Sequence, residues 1–250
     1  MFILIVIMAF IGELVDSSAG MGYGTLLSPI LILMGYSPFV AIPAILLTQA
    51  FGGLIASFFH HRFKNAIFNI KSLDFKMAIL ISLLGIIGVL IGSLVITGIP
   101  ILYVKIYISF IVLIMGTLIL LHKTFKFTWT KVVFVSLLSS FNKCVSGGGF
   151  GPILTGGQVI AGHNCKNSIG ITTLSETPIC LMSFVMYCIL VLSGSVVGLD
   201  WSLIYALGIG SFIAAPMGPC LARKIPARTV RLILGILLLF IGVFGIWKSL

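Results

Sequence analysis

Residues 17–29 read "SSAGMGYGTLLSP", three glycines and a pair of serines set directly behind an apolar run that begins at Met1. Residues 143–157, "KCVSGGGFGPILTGG", repeat the interruption in the other half of the chain. Glycine spaced this densely cannot sustain a helix, because each one adds backbone entropy and shields no hydrogen bond. Two interruptions in matching places call for one explanation that covers both.

Composition names the solvent. Hydrophobic residues make up 60% of the 250-residue chain and charged residues 8%, with mean hydropathy +1.27. A water-soluble domain carries about a quarter charged residues, so this chain has too few to cover a hydrated surface. Apolar runs long enough for a hydrocarbon core of ~30 Å fall at 41–59, 77–99, 104–121, 169–191, 201–217 and 230–247. Two further pairs of runs are shorter, 1–15 with 26–34 and 132–141 with 153–161, each joined through a glycine block. Residues 2–12 with "SSA" before Gly20 resemble a signal peptide, but the stretch lacks a basic start and has a second copy deep in the chain.

That copy has a register. Adding 127 to Gly20, Gly22, Gly24 and Gly35 lands on Gly147, Gly149, Gly151 and Gly162, and Tyr23 lands on Phe150. With an offset of 126, Leu73 and Asp74 fall on Leu199 and Asp200, Gly92 on Gly218, Ile99 and Pro100 on Ile225 and Pro226, and Gly116 on Gly242. The chain thus reads as an internal duplication, a usual build of secondary transporters. Positive charge in short loops marks the cytoplasmic side, and here it changes loops between the halves. Loop 60–76 holds Arg62, Lys64, Lys71 and Lys76, while its counterpart 187–203 has no Lys or Arg. Loop 93–105 carries only Lys105, while 219–231 carries Arg223, Lys224, Arg228 and Arg231.

The expected fold class is an all-α polytopic membrane protein of two inverted repeats, each a broken helical hairpin plus three transmembrane helices, eight hydrophobic segments in all. The N-terminal repeat is residues 1–122 (hairpin 1–34, helices 41–59, 77–99 and 104–121), the cytoplasmic linker 123–131, and the C-terminal repeat 132–250 (hairpin 132–161, helices 169–191, 201–217 and 230–247). Both termini are then extracytoplasmic, and the two glycine tips lie inside the membrane. Backbone without internal hydrogen bonds survives there only against protein or a water-filled cavity, so paired tips point to a substrate site. Helices leaving the tips near Leu26 and Ile153 direct their positive ends inward, which favours an anion.

The expected substrate-binding residues are Ser17, Ser18, Gly20, Gly22 and Gly24 at the first tip, and Lys143, Ser146, Gly147, Gly148, Gly149 and Gly151 at the second. Thr48, Gln49 and Ser175 join them from the first full helix of each half. Glu176, the repeat equivalent of Gln49, is the first choice for the coupling proton, with Asp16 and Glu13 next, because ionisable groups at this depth are functional candidates by default. The bland alternative is a structural pair between Asp16 and Lys143, which are themselves repeat-equivalent. Gly85, Gly88, Gly92, Gly235, Gly242 and Gly245 read as helix-packing positions, Asp74 and Asp200 as helix caps that complement the dipole, and His60, His61, His122 and His163 as interfacial residues. The five cysteines show no metal-ligand spacing, with Cys144 beside the second tip, so neither cofactor nor metal is expected. The net charge of +10 is concentrated in short loops. Anionic lipid headgroups, not nucleic acid, are its expected partners, and a homo-oligomer is compatible with the sequence.

The block "VDSSAGMGYGTLLSPILILMGYSP", its partner "GGGFGPILTGGQVIAGH" and the later "LDW" and "G(x)6IP" resemble the TauE/SafE sulfite-exporter family over nearly the whole chain. The resemblance implies a small inner-membrane carrier of sulfite, sulfonates or related anions, coupled to the proton gradient. Met21 and Tyr23 interrupt what is often a longer glycine run in that family. An anion channel is the alternative function, and an intramembrane enzyme ranks last because no nucleophile or acid–base set stands out.

Overall fold

A computed structural model describes residues 1–96, 98–121, 129–160, 164–196, 198–224 and 227–249. Eleven helices account for nearly all of the described residues, and no strand occurs among them: α1 (Phe2–Ala19), α2 (Tyr23–Leu33), α3 (Pro38–Arg62), α4 (Leu73–Ile96), α5 (Ile101–Leu121), α6 (Trp129–Ser146), α7 (Phe150–Ile160), α8 (Cys165–Leu192), α9 (Trp201–Ala214), α10 (Met217–Leu221) and α11 (Ala227–Ser249). Among the described residues five helical stretches are long and apolar enough to cross a membrane: Phe2–Ala19, Pro38–Arg62, Leu73–Ile96, Lys166–Leu192 and Trp201–Leu221. Shorter apolar stretches lie at Tyr23–Leu33, Ile101–Ile114, Val133–Ser146 and Leu238–Trp247. Most of the linker 123–131, together with His122, His163 and the Ile225–Pro226 match, lies outside the described residues.

Local chemistry sets the boundaries. The first helix runs past its apolar stretch to Ala19, because Ser17 Oγ donates to Glu13 O at 2.5 Å and Ser18 Oγ to Val15 O at 3.1 Å, which keeps both serines helical. Gly20 ends it in the left-handed conformation, φ 72°, with its N–H on Asp16 O. Asn164 caps α8 by accepting from Lys166 N, and Asp200 caps α9 by accepting from Leu203 N, both at 3.0 Å. Asp74 keeps the expected place near the positive end of the α4 dipole but does not cap the helix. It sits inside the first turn of α4, where Oδ2 accepts from Ile67 N at 2.8 Å and from Asn167 Nδ2 at 3.0 Å, tying the α3–α4 connection to α8. The apolar run 201–217 is also not one helix: α9 stops at Ala214, and Pro216, which lacks an N–H, stands at the start of α10.

The helices pack in exchanged pairs. Helix α1 lies on α9 and α6 lies on α4; α3 packs on α8, and α5 on α11. The glycines read as packing positions do that work. A Cβ on Gly88 would meet Leu137 O on α6 and one on Gly92 would lie 3.1 Å from Cys144 Cβ, while Gly235 and Gly242 admit Leu120 and Leu113 of α5, in each case with Cγ 2.6 Å from the Cβ position. One core cluster runs from Ala19 and Leu26 through Ile42, Ile81 and Ile108 to Phe150, Ile179 and Leu238, and a second gathers Ile5, Leu27, Ile45 and Leu207.

Candidate functional site

The two glycine breaks meet backbone to backbone. A Cβ added at Gly24 would run into Gly147 O, and one at Gly151 would run into Gly20 O, a reciprocal contact, since adding 127 relates Gly24 to Gly151 and Gly20 to Gly147. Gly148 presses on Thr25 in the same crossing, its Cβ position 2.7 Å from Thr25 Cα. Gly20 and Gly147 both hold left-handed φ, 72° and 74°, so any side chain there would strain the turn, and at Gly20 a Cβ would also meet Thr155 Oγ1 at 2.5 Å. Ser28 Oγ donates to Ser146 O at 2.5 Å, Gly149 N to Thr25 Oγ1 at 3.1 Å, and Thr155 Oγ1 to Gly20 O at 2.9 Å, stitching each tip to the other half.

Beside the crossing the sequence-equivalent pairs Asp16/Lys143 and Gln49/Glu176 form one polar quartet. Lys143, in the last turn of α6, is 1% exposed and places Nζ 2.7 Å from Glu176 Oε1; it also donates to Gln49 Oε1. Gln49 Nε2 donates to Glu176 Oε1 at 3.1 Å and to Asp16 Oδ2 at 3.2 Å. Lysine therefore pairs with Glu176 and not with Asp16. The equivalence of Asp16 and Lys143 suggested their pairing, but each bonds a residue of its own half, Asp16 to Gln49 of α3 and Lys143 to Glu176 of α8, and Gln49, which also accepts from Lys143, stands between them. Asp16 Oδ1 is used elsewhere: it accepts from Tyr23 N at 3.2 Å and thereby caps α2.

Glu13 lies one turn below, buried, with Oε2 accepting from Ser211 Oγ of α9 at 3.1 Å. It fits because Gly52 of α3 presents no side chain; a Cβ there would be 2.9 Å from that oxygen. Thr48 shares a 2.9 Å hydrogen bond with the Tyr23 hydroxyl. Ser146 Oγ contacts Asn142 O at 2.7 Å, at the foot of the second tip. Three expected residues stand apart from the quartet. Ser17 and Ser18 spend their hydroxyls within α1, and Ser175 Oγ bonds Thr172 O at 2.9 Å while its carbonyl accepts from Ser82 of α4. Gly22 lies in the first break, where a Cβ would be 3.1 Å from Val15 Cγ1.

His60 corrects the interfacial expectation. It is fully buried near the end of α3, with Nε2 2.9 Å from Ser17 O and Nδ1 3.1 Å from Asn65 Nδ2, which also donates to Pro219 O. Its repeat equivalent, Tyr187, donates to Cys144 O at 3.1 Å, and Cys144 is the equivalent of Ser17. His61, by contrast, is exposed and stacks on Phe68. Sequence reasoning also missed Ser211, Thr25 and the Tyr107 hydroxyl on Asn142. Lone hydroxyls in apolar runs carry no pattern that could have flagged them. Among the described residues no His, Cys, Asp and Glu cluster of metal-binding geometry occurs.

Apolar helices of membrane-spanning length around a buried quartet of ionisable and amide groups describe a multi-pass membrane protein of the transporter class. The chain belongs to the TauE/SafE sulfite exporter family, whose model matches residues 4–245. It is 24% identical over 246 residues to a protein of Bacillus subtilis (strain 168) described as "Probable membrane transporter protein YtnM", the match covering 92% of this chain and 79% of that one. No solved structure matches it.

Proposed function

We propose that this protein is a proton-coupled secondary carrier of a small anion, sulfite, a sulfonate or a related sulfur oxyanion, bound where the two glycine tips cross. The observation that carries the reading is the unequal fate of two equivalent positions. At the first tip Asp16 supplies the anion that caps α2 through Tyr23 N. At the second tip the same position is Lys143, a buried cation that cannot accept from α7. An external anion would occupy the place that Asp16's carboxylate fills in the other half, held by the positive end of α7 and by the ammonium. The family's description as sulfite exporters supports sulfur oxyanions as the first substrates to try.

Coupling follows from charge. Three buried carboxyl groups, Glu13, Asp16 and Glu176, face one lysine, and Lys143 is already engaged by Glu176. An anion competes with Glu176 for that ammonium, and a proton taken up by Glu176 frees it, so proton and anion favour each other's binding. Gln49, the equivalent amide, does not titrate, so at this position only the second half can carry a proton.

The exchanged packing, α1 on α9 against α6 on α4, together with the reciprocal contacts of Gly24 with Gly147 and Gly151 with Gly20, supports two repeats of opposite orientation. Such a pair can rock about a fixed central site. Counterflow in proteoliposomes tests the function: trans-loaded sulfite or a sulfonate should accelerate entry of its labelled counterpart, with saturation. Flux that neither saturates nor shows counterflow identifies a channel instead. Glu176→Gln should retain exchange and lose acceleration by a pH gradient; unchanged acceleration removes Glu176 from the coupling.

A further inference from the structure

The carboxyl of Glu13 stands apart from the quartet, and among the described residues no cation bonds it. Lys143 is engaged by Glu176 and Gln49, while Asp16 accepts from Tyr23 N and from Gln49. Glu13 is 1% exposed, and its hydrogen bond is to a neutral group, Ser211 Oγ of α9 donating to Oε2. The Tyr23 hydroxyl, shared with Thr48, also donates to Leu207 O, one turn before Ser211 on the same helix. The ionisable groups within electrostatic reach of Glu13 are Asp16 on α1, Tyr23 on α2, Lys143 on α6, and Glu176 and Cys180 on α8. From α3 and α9 it meets Gly52 and Ser211, which do not titrate, and α10 reaches α1 a turn farther on, with Gly218 against Ser17.

Packing does not call for an acid here. Adding 127 relates Glu13, Tyr23, Thr48 and Gly52 to Ser140, Phe150, Ser175 and Ile179, and adding 126 relates Gly85 to Ser211. In the second half Ile179 and Ser140 both press on Gly85, and the place is filled with neither a carboxyl nor a phenol. In the first half a glycine on α3 makes room for the carboxyl and a serine on α9 supplies its donor. The exchange raises the cost of burial, and what a carboxyl adds over a serine at this depth is a proton to hold and release.

We infer that Glu13 is a proton-binding site separate from Glu176, and that its proton is in place whenever α1 closes on α9. A carboxylate without a counter-ion costs more to bury than the neutral acid, so closure selects the protonated form. The seam is close-packed: a Cβ on Gly210 would run into Val6 O and lie 2.7 Å from Phe10 N. Its contacts run in step, Gly210 on Val6 and Phe10, Ser211 on Glu13 and Gly218 on Ser17, so the two helices start on the same side. Helix α1 belongs to one repeat and α9 to the other. Rocking of the repeats, the part of the proposed function on which the gating rests, slides one past the other and parts Glu13 from Ser211. Opening wets the carboxyl, whose O–H bond breaks and gives its proton to water, and reclosure takes a proton back. Because that proton leaves and returns on the side where α1 and α9 start, Glu13 gates the cycle and adds no driving force, whereas Glu176 couples.

Infrared absorption of the purified protein in detergent tests the site. The chain has five Asp and Glu residues, few enough to assign the C=O stretch of a protonated carboxyl by single substitutions. Wild type at neutral pH should show that band, Glu13→Gln should remove it, and Glu176→Gln should leave it. A wild-type spectrum without the band, or a band kept in full by Glu13→Gln, overturns the site. If Glu13→Gln does not fold, Ser211→Ala decides: loss of the hydrogen bond should move the band to higher frequency, and an unmoved band rejects the proposal. Gating is read from Ile5→Cys in a cysteine-free background, since Ile5 is 2% exposed in the core cluster with Leu203, Ile204 and Leu207 of α9. Its reaction with a maleimide should accelerate with rising pH more than the same cysteine does beside Glu13→Gln, and equal acceleration rejects the gate. Neither assay contains a sulfur oxyanion, so both outcomes stand apart from the counterflow result.

Discussion

Lys143 is the residue on which most of the site's charge depends. It is buried, and its partners are Glu176 and Gln49. Removing one member of a buried pair leaves the other charged in low dielectric and costs about 3–5 kcal/mol. Lys143→Met should therefore lower Tm sharply and abolish transport, and adding Glu176→Gln should restore most of the stability, because the carboxylate that Lys143 pairs is then neutral as well. Transport should stay absent in the double variant if the ammonium also receives the anion. Recovery of saturable counterflow in Lys143→Met/Glu176→Gln would assign the lysine a structural role only. The rescuing partner is Glu176 and not Asp16, a choice the sequence could not make, since Asp16 is the repeat equivalent of Lys143 and Glu176 that of Gln49.

Helices α1 and α6 each end in a glycine break that the other half's broken pair covers, and two contacts secure that arrangement. At the crossing, Gly24→Ala or Gly151→Ala sets a methyl group against a backbone carbonyl, Gly147 O or Gly20 O, which no rotamer can relieve. Overpacking of this kind costs about 1–3 kcal/mol or more, so both variants should unfold at lower temperature and lose transport; wild-type Tm and flux in either would contradict the close approach. Farther along, His60 on Ser17 O and Tyr187 on Cys144 O hold equivalent turns of α1 and α6. Tyr187→Phe removes one buried hydrogen bond and leaves a carbonyl unpaired, a loss of about 1 kcal/mol in chemical denaturation. A null effect would mean that the Cys144 carbonyl finds another donor.

At the scale of the whole molecule, we propose from loop charge alone that 60–76 and 219–231 face the cytoplasm and that 187–203 and both termini face away from it. A cysteine-free variant carrying a single cysteine at Ser195, which is exposed, should react with an impermeant maleimide added outside intact cells. One at Lys71, also exposed, should react only after permeabilisation. Labelling of both from the same side in intact cells would refute opposed repeats. The membrane class, the glycine breaks and the two family blocks were all legible in the sequence, because composition and periodicity report on solvent and backbone, which act on every residue in the same way. The packing glycines of α4 and α11 were legible for the same reason, as was the Asp200 cap. Tertiary structure decided the rest: that Lys143 meets Glu176 across Gln49, that Asp74 clamps a loop, that His60 is buried, and that Ser211 bonds Glu13 beside Gly52. Each of those is a side-chain contact with a different element, and such a contact depends on how helices and loops are rotated and slid against one another, which no local pattern of residues encodes.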